Sequence, residues 1–170
     1  MSLLRIITYG HPTLRLEAKP VSEITDEIRL LAKDMIETME EADGIGLAAP
    51  QVNKSIRMIV IGMDLIDESM QPMAFINPEI VGKSEDTELQ DEGCLSVPGI
   101  REDVVRYKRI KVRFMNIDGE EVEWEAEGLL ARVFQHELDH LNGVLFTDLI
   151  SPFKKQLVEG QLQKLEKISV

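Results

Sequence analysis

The residues with the clearest chemical potential are His136, Glu137 and His140, which lie within the segment LLARVFQHELDHLN (129–142). On a helix, residues four positions apart lie one above the other, so the two imidazoles can bind a single metal ion. Glu137 then lies beside the ion, where it can act on a water bound there. The HExxH pattern is short, and the alternative is a pair of hydrogen-bonded core histidines with a surface glutamate.

The distribution of side chains around the predicted helix favours the metal. At about 100° per residue, one apolar arc contains Leu129, Leu130, Val133, Phe134, Leu138 and Leu141. The opposite side contains Arg132, Gln135, Asp139 and Asn142. His136, Glu137 and His140 fall within or beside the apolar arc. Because ionisable groups are costly to bury without partners, a bound cation would compensate for this placement.

A catalytic site of this type needs a third protein ligand, because such sites hold water in the fourth position. The candidates are Cys94, His11 and a carboxylate. Cys94 is favoured because it is the only thiol and follows Gly93 in a loop where the backbone can bend. His11 stands beside a proline in a polar turn, which is more typical of a surface residue.

Several neighbouring polar residues have two interpretations. Glu92 could hold a ligand histidine in the correct tautomer, or it could simply end the acidic run of residues 85–92. Arg132 and Asp139 could pair with each other, or with Arg101 and Glu92. The sequence alone does not decide the role of Glu92 or the partners of Arg132 and Asp139.

The segment GIGLAAPQ (44–51) is rich in residues with small side chains or none. Small residues let a ligand or another backbone come close, but the same composition suits a tight turn packed under the core helix. It matches neither the dinucleotide-binding nor the Walker phosphate pattern.

Composition limits the class of protein. A chain of 170 residues with 44% hydrophobic and 29% charged residues predicts one globular domain spanning 1–170. The chain has no apolar run of about 18 residues for a membrane span and no signal peptide, so we expect a cytoplasmic protein. The net charge of −12 argues against general nucleic-acid binding. A single cysteine allows no internal disulfide.

Hydrophobic periodicity predicts the elements that must position these residues. Thr25 is a helix cap, and the helix it starts ends near residues 43–44. Strands are expected at residues 56–61, 75–76 and 79–81, and a hairpin at 108–115 and 122–126. Residues 83–92 are expected to face solvent. The predicted fold class is α+β, a single domain of antiparallel strands around the HExxH helix, with an N-terminal and a C-terminal helix.

The last predicted helix, residues 153–168, has a basic bias in an acidic protein. Its lysines are Lys154, Lys155, Lys164 and Lys167. They could form a docking face, or they could be an ordinary solvated surface.

Three motifs in order resemble those of the peptide deformylases: GIGLAAPQ (44–51), EGCLS (92–96) and QHELDHLNG (135–143). The likeness extends to HPTLR (11–15), Arg101 and GVLFTDLISP (143–152), so it covers nearly the whole chain. The resemblance implies removal of the formyl group from the N-terminal formylmethionine of nascent polypeptides, with release of formate.

The resemblance also assigns roles to individual residues. It implies that Cys94, His136 and His140 bind the metal and that Glu137 is the general acid/base. Gln51 and the backbone N–H of Leu95 would bind the developing oxyanion, and Gly46 would contact the substrate backbone. Leu129 and Val133, on the face of His136, are candidates for the pocket that receives the methionine side chain, or they are ordinary core residues.

The metal implied by the resemblance is one Fe(II) ion, with Zn, Ni or Co also able to occupy the site. Two other functions remain open on the residues. One is a different metallohydrolase, such as an HExxH endopeptidase, and the other is a binding module whose metal is only structural. The lysines of the last helix raise the further hypothesis that it docks on the ribosome surface.

Overall fold

Two antiparallel sheets and three helices make up the fold in the computed structural model, which describes residues 2–168. The larger sheet has the strand order β1-β2-β3-β6-β7, and the smaller sheet pairs β4 with β5. The strands are β1 (Gly46–Ala48), β2 (Met58–Ile61), β3 (Met73–Lys83), β4 (Thr87–Cys94), β5 (Val97–Tyr107), β6 (Arg109–Met115) and β7 (Glu121–Glu127). The helices are α1 (Asp26–Glu41), α2 (Gly128–Leu141) and α3 (Pro152–Ile168). The α+β prediction is therefore confirmed.

The capping signal before α1 acts as predicted. The Thr25 side chain accepts a hydrogen bond from the Ile28 N–H at 3.3 Å, which satisfies one of the free donors of the first turn. Ala32, Met35 and Met39 form the buried face of the helix and pack against β1 and β2. The methionines are therefore core residues.

The central strands of the larger sheet are buried and apolar. All four residues of β2 are buried, which accounts for the continuous apolar run from which the buried strand was predicted. Residues 75–76 and 79–81, predicted as two short pieces, belong to the single strand β3. The break in the pattern is real, since the register against β6 shifts between Ile76 and Glu79, beside Asn77 at φ +50°.

The predicted hairpin leads directly into α2. β6 and β7 pair from Arg109↔Glu127 to Met115↔Glu121, and α2 begins at the next residue, Gly128. The sheet packs against α2 through edge-to-face aromatic contacts, with ring centroids 4.7 to 5.6 Å apart: Phe75, Phe114, Trp124 and Phe134. This core fixes the position of α2 on the sheet.

The smaller sheet consists of two strands that the sequence pattern did not indicate. Residues Thr87–Cys94 form β4; half of them are exposed as expected, whereas Glu92, also expected to face solvent, is buried. β5 packs Val97, Ile100 and Val104 against an apolar cluster that includes Val158 and Leu162 of α3. The β4–β5 hairpin is therefore held by α3 on one side.

The N-terminal segment is irregular apart from a 3-10 helix at Pro12–Arg15. Within residues 2–168, none of the helices combines the length and apolar composition that a membrane span requires.

Candidate active site

Helix α2 presents His136 and His140 one turn apart. Both side chains are buried, and their ring centroids lie 5.1 Å apart. The helix ends at Leu141, and Gly143 turns the chain away with a φ of +74°. A side chain at Gly143 would collide with the Arg15 carbonyl, since an added Cβ would lie 2.7 Å from that oxygen. The helix therefore ends against the N-terminal segment.

The end of β4 brings a thiol to the two histidines. The register between β4 and β5 shifts at Cys94, and the Cys94 Sγ lies 3.3 Å from His140 Nε2. One ligand atom each from Cys94, His136 and His140 lies within 4.8 Å of the others. His11, the alternative considered above, instead accepts a hydrogen bond from the Thr13 N–H through Nδ1.

The residues present fit a divalent metal ion. A thiolate with two imidazoles suits zinc and the neighbouring transition metals. Among the described residues this is a cluster of three donors, and three protein ligands are typical of catalytic sites, whereas structural sites fill all four positions. Glu137 Oε1 is buried and has no hydrogen-bond partner within residues 2–168. The site therefore has room for another polar group beside Glu137.

Burial sets the proton affinity of Glu137. Burial, opposed by the charge of His136 and reinforced by the charge of Glu92, raises the pKa of the carboxyl to about 7. A cation beside the carboxylate would favour the charged form and lower this pKa. A carboxyl whose pKa lies near neutrality can both accept and donate a proton.

Gln51 reaches the thiol from the other side of the site. It lies in the buried 3-10 helix Ala49–Val52 that follows β1. Its Oε1 accepts from the Ala48 N–H at 2.9 Å, and its Nε2 lies 3.1 Å from Ser96 Oγ and 3.5 Å from Cys94 Sγ. The amide is thereby oriented with its NH2 group towards the metal-ligand cluster.

Ser96 is a buried site residue that the sequence reasoning did not single out. Its N–H donates to Cys94 Sγ at 3.4 Å, and its side chain is fully buried. Only its place in the EGCLS segment could have indicated it.

Gly46 lies directly against Glu137. An added Cβ at Gly46 would be 2.6 Å from Glu137 Oε2, so a side chain there would displace the carboxylate. The lack of a side chain at Gly46 therefore lets the backbone of this segment lie close to the Glu137 carboxylate.

A cavity of about 550 Å³ opens onto the cluster. Its lining includes Gly46, Gln51, Cys94, Leu95, Leu129, Val133, His136 and Glu137. Val133 is buried and also belongs to the main core cluster, whereas Leu129 is 50% exposed. Of the residues to which the resemblance assigns a role at the site, all except His140 line this cavity, and the His140 Nε2 lies against Cys94 Sγ.

The polar side of α2 faces the β4–β5 hairpin. Glu92 accepts hydrogen bonds from Arg106 at 2.8 and 2.9 Å, from Arg132, and interacts with His136 Nδ1 at 2.8 Å. Burial raises the pKa of Glu92, but the hydrogen bonds from Arg106 and His136 outweigh it and lower the pKa to about 2. Glu92 is therefore a charged partner of His136, while Asp139 pairs with Arg106.

Comparison with known proteins gives a consistent match. The family model for polypeptide deformylases matches residues 3–156. A peptide deformylase of Acinetobacter baumannii (strain SDF) is 52% identical over 165 residues, covering 97% of this chain and 93% of that protein. The crystal structure of the Thermotoga maritima peptide deformylase is 51% identical with a TM-score of 0.82, covering 88% of this chain and 99% of that one. The crystal structure of the Thermus thermophilus peptide deformylase is 38% identical with a TM-score of 0.90, covering 99% and 100%.

Proposed function

This chain belongs to the polypeptide deformylase family, and from that premise we propose how its residues share the reaction. Members of the family are metal-dependent hydrolases that remove the formyl group from the N-terminal formylmethionine of nascent proteins and release formate. The observation that carries the assignment of roles is the contact of the Cys94 thiol with the paired histidines beside the buried carboxylate of Glu137.

Cys94, His136 and His140 would hold one divalent cation. When bound, the cation lowers the pKa of a coordinated water to near neutrality and polarises a carbonyl oxygen. We propose Fe(II) as the ion of this chain, on the family resemblance, with Zn, Ni or Co as alternatives. Glu92 accepts the hydrogen bond from His136 Nδ1, which presents Nε2 to the cation.

Glu137 moves the proton. Its carboxylate takes a proton from the attacking water, and a C–O bond forms at the formyl carbon. It then returns the proton to the departing nitrogen as the C–N bond breaks, which leaves formate and a free N-terminal amine. The unpartnered Oε1 supports this role because it can accept from water.

Gln51 and the backbone N–H of Leu95 stabilise the charge that develops on the carbonyl oxygen. Donors aimed at such an oxygen contribute a large part of catalysis in acyl transfer. The NH2 orientation of Gln51, set by Ala48, supports this assignment. Gly46 offers its backbone to the substrate chain at the cavity edge.

The methionine side chain would occupy the cavity beside Leu129 and Val133. The exposed Leu129 and the buried Val133 offer apolar surface at different depths of the cavity. Apolar surface of this kind suits a thioether chain and gives no partner to a charged side chain.

A paired assay tests the function. The protein should release formate from formyl-Met-peptide and should leave acetyl-Met-peptide and internal peptide bonds intact. Glu137→Gln should abolish turnover while elemental analysis finds the metal retained. Cleavage of internal bonds would support an endopeptidase instead, and metal binding without any hydrolysis would support a structural site.

Nascent formylated polypeptides are the substrate. We further propose a cytoplasmic location and a single catalytic domain over residues 1–170.

We also propose that α3 docks on the ribosome surface. Lys154 lies near Glu102 and Asp103 of β5, at 3.5 and 3.3 Å, and Lys155 lies 3.9 Å from Asp148, so the docking charge would come mainly from Lys164 and Lys167. Reversing these two charges should reduce co-sedimentation with ribosomes. Unchanged co-sedimentation would rule out docking through these lysines.

A further inference from the structure

The three proposed metal ligands come from two separate structural units. His136 and His140 lie on α2, which packs on the five-stranded sheet, whereas Cys94 ends β4 of the two-stranded sheet. Within residues 2–168, β4 and β5 form ladder pairs only with each other. The distance from the thiol to the imidazoles therefore depends on the contacts that dock the hairpin on α2, together with the contacts of Gln51 and Tyr9 at the thiol end of the hairpin.

Arg132 makes the most extensive of these contacts. Its guanidinium donates to Glu92 Oε2, to the Val104 carbonyl at 2.9 Å and to the Glu88 carbonyl at 2.8 Å, with the Gln90 carbonyl at 3.5 Å. The acceptors lie on both strands of the hairpin. A single side chain of α2 thus contacts both strands of the paired hairpin.

The other polar contacts across this boundary are narrower. Arg106 starts on β5 and joins Glu92 to Asp139. Gln135 exchanges two hydrogen bonds with the backbone of Tyr107, both at 2.9 Å. The His136 Nδ1 also meets the Glu92 carboxylate at 2.8 Å. None of these three side chains reaches the backbone of β4, the strand that ends in the thiol.

The chemistry at position 132 requires an arginine. The guanidinium is a rigid planar fork of five donors, which matches acceptors spread over a carboxylate and several carbonyls, whereas a lysine ammonium is a compact point charge. The side chain is 8% exposed. A buried ion pair is weak evidence that a residue stabilises the fold. The directions of its hydrogen bonds therefore explain the arginine at position 132 better than stability does.

We infer that Arg132 is a positioning residue that holds the Cys94 end of the hairpin at bonding distance from the two histidines of α2. The inference rests on the proposed metal ligands. Arg132 acts by holding the β4–β5 hairpin against α2, and it does not contact the reacting atoms.

Cobalt binding tests the positioning role of Arg132. Metal is removed from the full chain with a chelator, and Co²⁺ is added while the thiolate-to-cobalt charge-transfer band and the d–d bands are recorded. Arg132→Met should weaken Co²⁺ binding by about 10–100-fold, the range for lost supporting contacts around metal ligands. The thiolate band should also weaken relative to the d–d bands.

The matched control is Arg113→Met. Arg113 also pairs with carboxylates, Glu79, Glu121 and Glu123, but it lies on β6 and its side chain is 43% exposed. This variant should bind Co²⁺ like the unmodified protein. Arg132→Lys keeps the charge but not the fork, and it should lose at least roughly threefold in affinity, which keeps the test valid if Arg132→Met does not fold.

The outcomes separate three cases. A lower melting temperature for Arg132→Met with unchanged Co²⁺ affinity and thiolate band would overturn the positioning role and leave the proposed ligands standing. Full recovery of affinity in Arg132→Lys would overturn the requirement for the fork. No thiolate band in the unmodified protein would overturn the ligand assignment, and the inference with it.

Discussion

Gln51 shows how a residue at this site is oriented by its neighbours. Because its Oε1 accepts from the Ala48 N–H, its NH2 group must point the other way, towards Cys94 and Ser96. A side-chain amide held at both ends needs little reorganisation when charge develops beside it. Such preorganisation is the source of oxyanion stabilisation.

Gln51→Ala should therefore reduce kcat about 10²–10³-fold, equivalent to about 3–4 kcal/mol, with the metal retained. Steady-state kinetics on formyl-Met-peptide and elemental analysis measure the two quantities. Gln71→Ala, which removes an exposed amide in a loop, is the control and should match the unmodified enzyme. Near-normal turnover in Gln51→Ala would remove this residue from the mechanism.

Gly46→Ala tests the close approach to Glu137. The new methyl would lie 2.6 Å from Glu137 Oε2, so the carboxylate must move. Displacement of a catalytic group by about 1 Å can cost about 100-fold in rate, and we expect a kcat loss of that order with little change in melting temperature.

The control for Gly46→Ala is Gly82→Ala. Its Cβ would lie 3.4 Å from the Lys111 Cβ, an ordinary contact in a strand of the same sheet. A kcat for Gly46→Ala equal to that of Gly82→Ala would show that the carboxylate tolerates the displacement.

Single residues were predictable from sequence where their chemistry is distinctive. A lone thiol and two histidines at helical spacing point to one another, whereas Ser96 is a common residue whose role depends on a backbone N–H and on a contact to Gln51. Gly46 was singled out for its small size, but spacing could not reveal that its neighbour is Glu137.

At the scale of elements, periodicity predicted what packs on an apolar core. α1, α2 and the β6–β7 hairpin have one apolar face each, and all three were predicted. The β4–β5 hairpin was not predicted. In β4 half of the residues are exposed and the buried one is Glu92, and in β5 the buried positions are irregularly spaced, so neither strand shows a regular alternation of apolar and polar residues.

The polar side of α2 illustrates the same limit. Amphipathic pattern alone places Arg132 and Gln135 in water, but they are 6% and 5% exposed. Their partner is a charged hairpin, and hydrophobicity cannot distinguish such a partner from solvent.

The end of α2 gives a prediction for an element boundary. Gly143→Ala combines a φ of +74° with a Cβ 2.7 Å from the Arg15 carbonyl oxygen. Gly119→Ala has a φ of +86° with nothing within 4 Å. Both should lose about 1–2 kcal/mol of unfolding free energy to backbone strain, and Gly143→Ala about 1–3 kcal/mol more to the collision. Chemical denaturation measures the difference, and equal losses would show that the helix end does not depend on this contact.

At the scale of the whole molecule, the metal-ligand cluster lies where the two sheets of the fold meet. The five-stranded sheet supplies α2, and the β4–β5 hairpin supplies the thiol. A cation bound by both adds a link between two units that are otherwise joined by side-chain contacts and by the chain connections at residues 84–86 and 108. Ligands that bind only the folded state stabilise it by mass action.

Metal removal should therefore destabilise the entire fold. At an ion concentration about 1,000-fold above the dissociation constant, binding contributes about 4 kcal/mol, which corresponds to a melting-temperature shift on the order of 10 °C for a chain of this size. Calorimetry before and after chelation measures the shift, and readdition of the metal should reverse it. Cys94→Ala is the control, because it keeps both histidines but breaks the link from the hairpin, so chelation should shift its melting temperature much less. An unchanged melting temperature in the unmodified protein, with metal loss verified by elemental analysis, would show that the hairpin and α2 are held together without the ion.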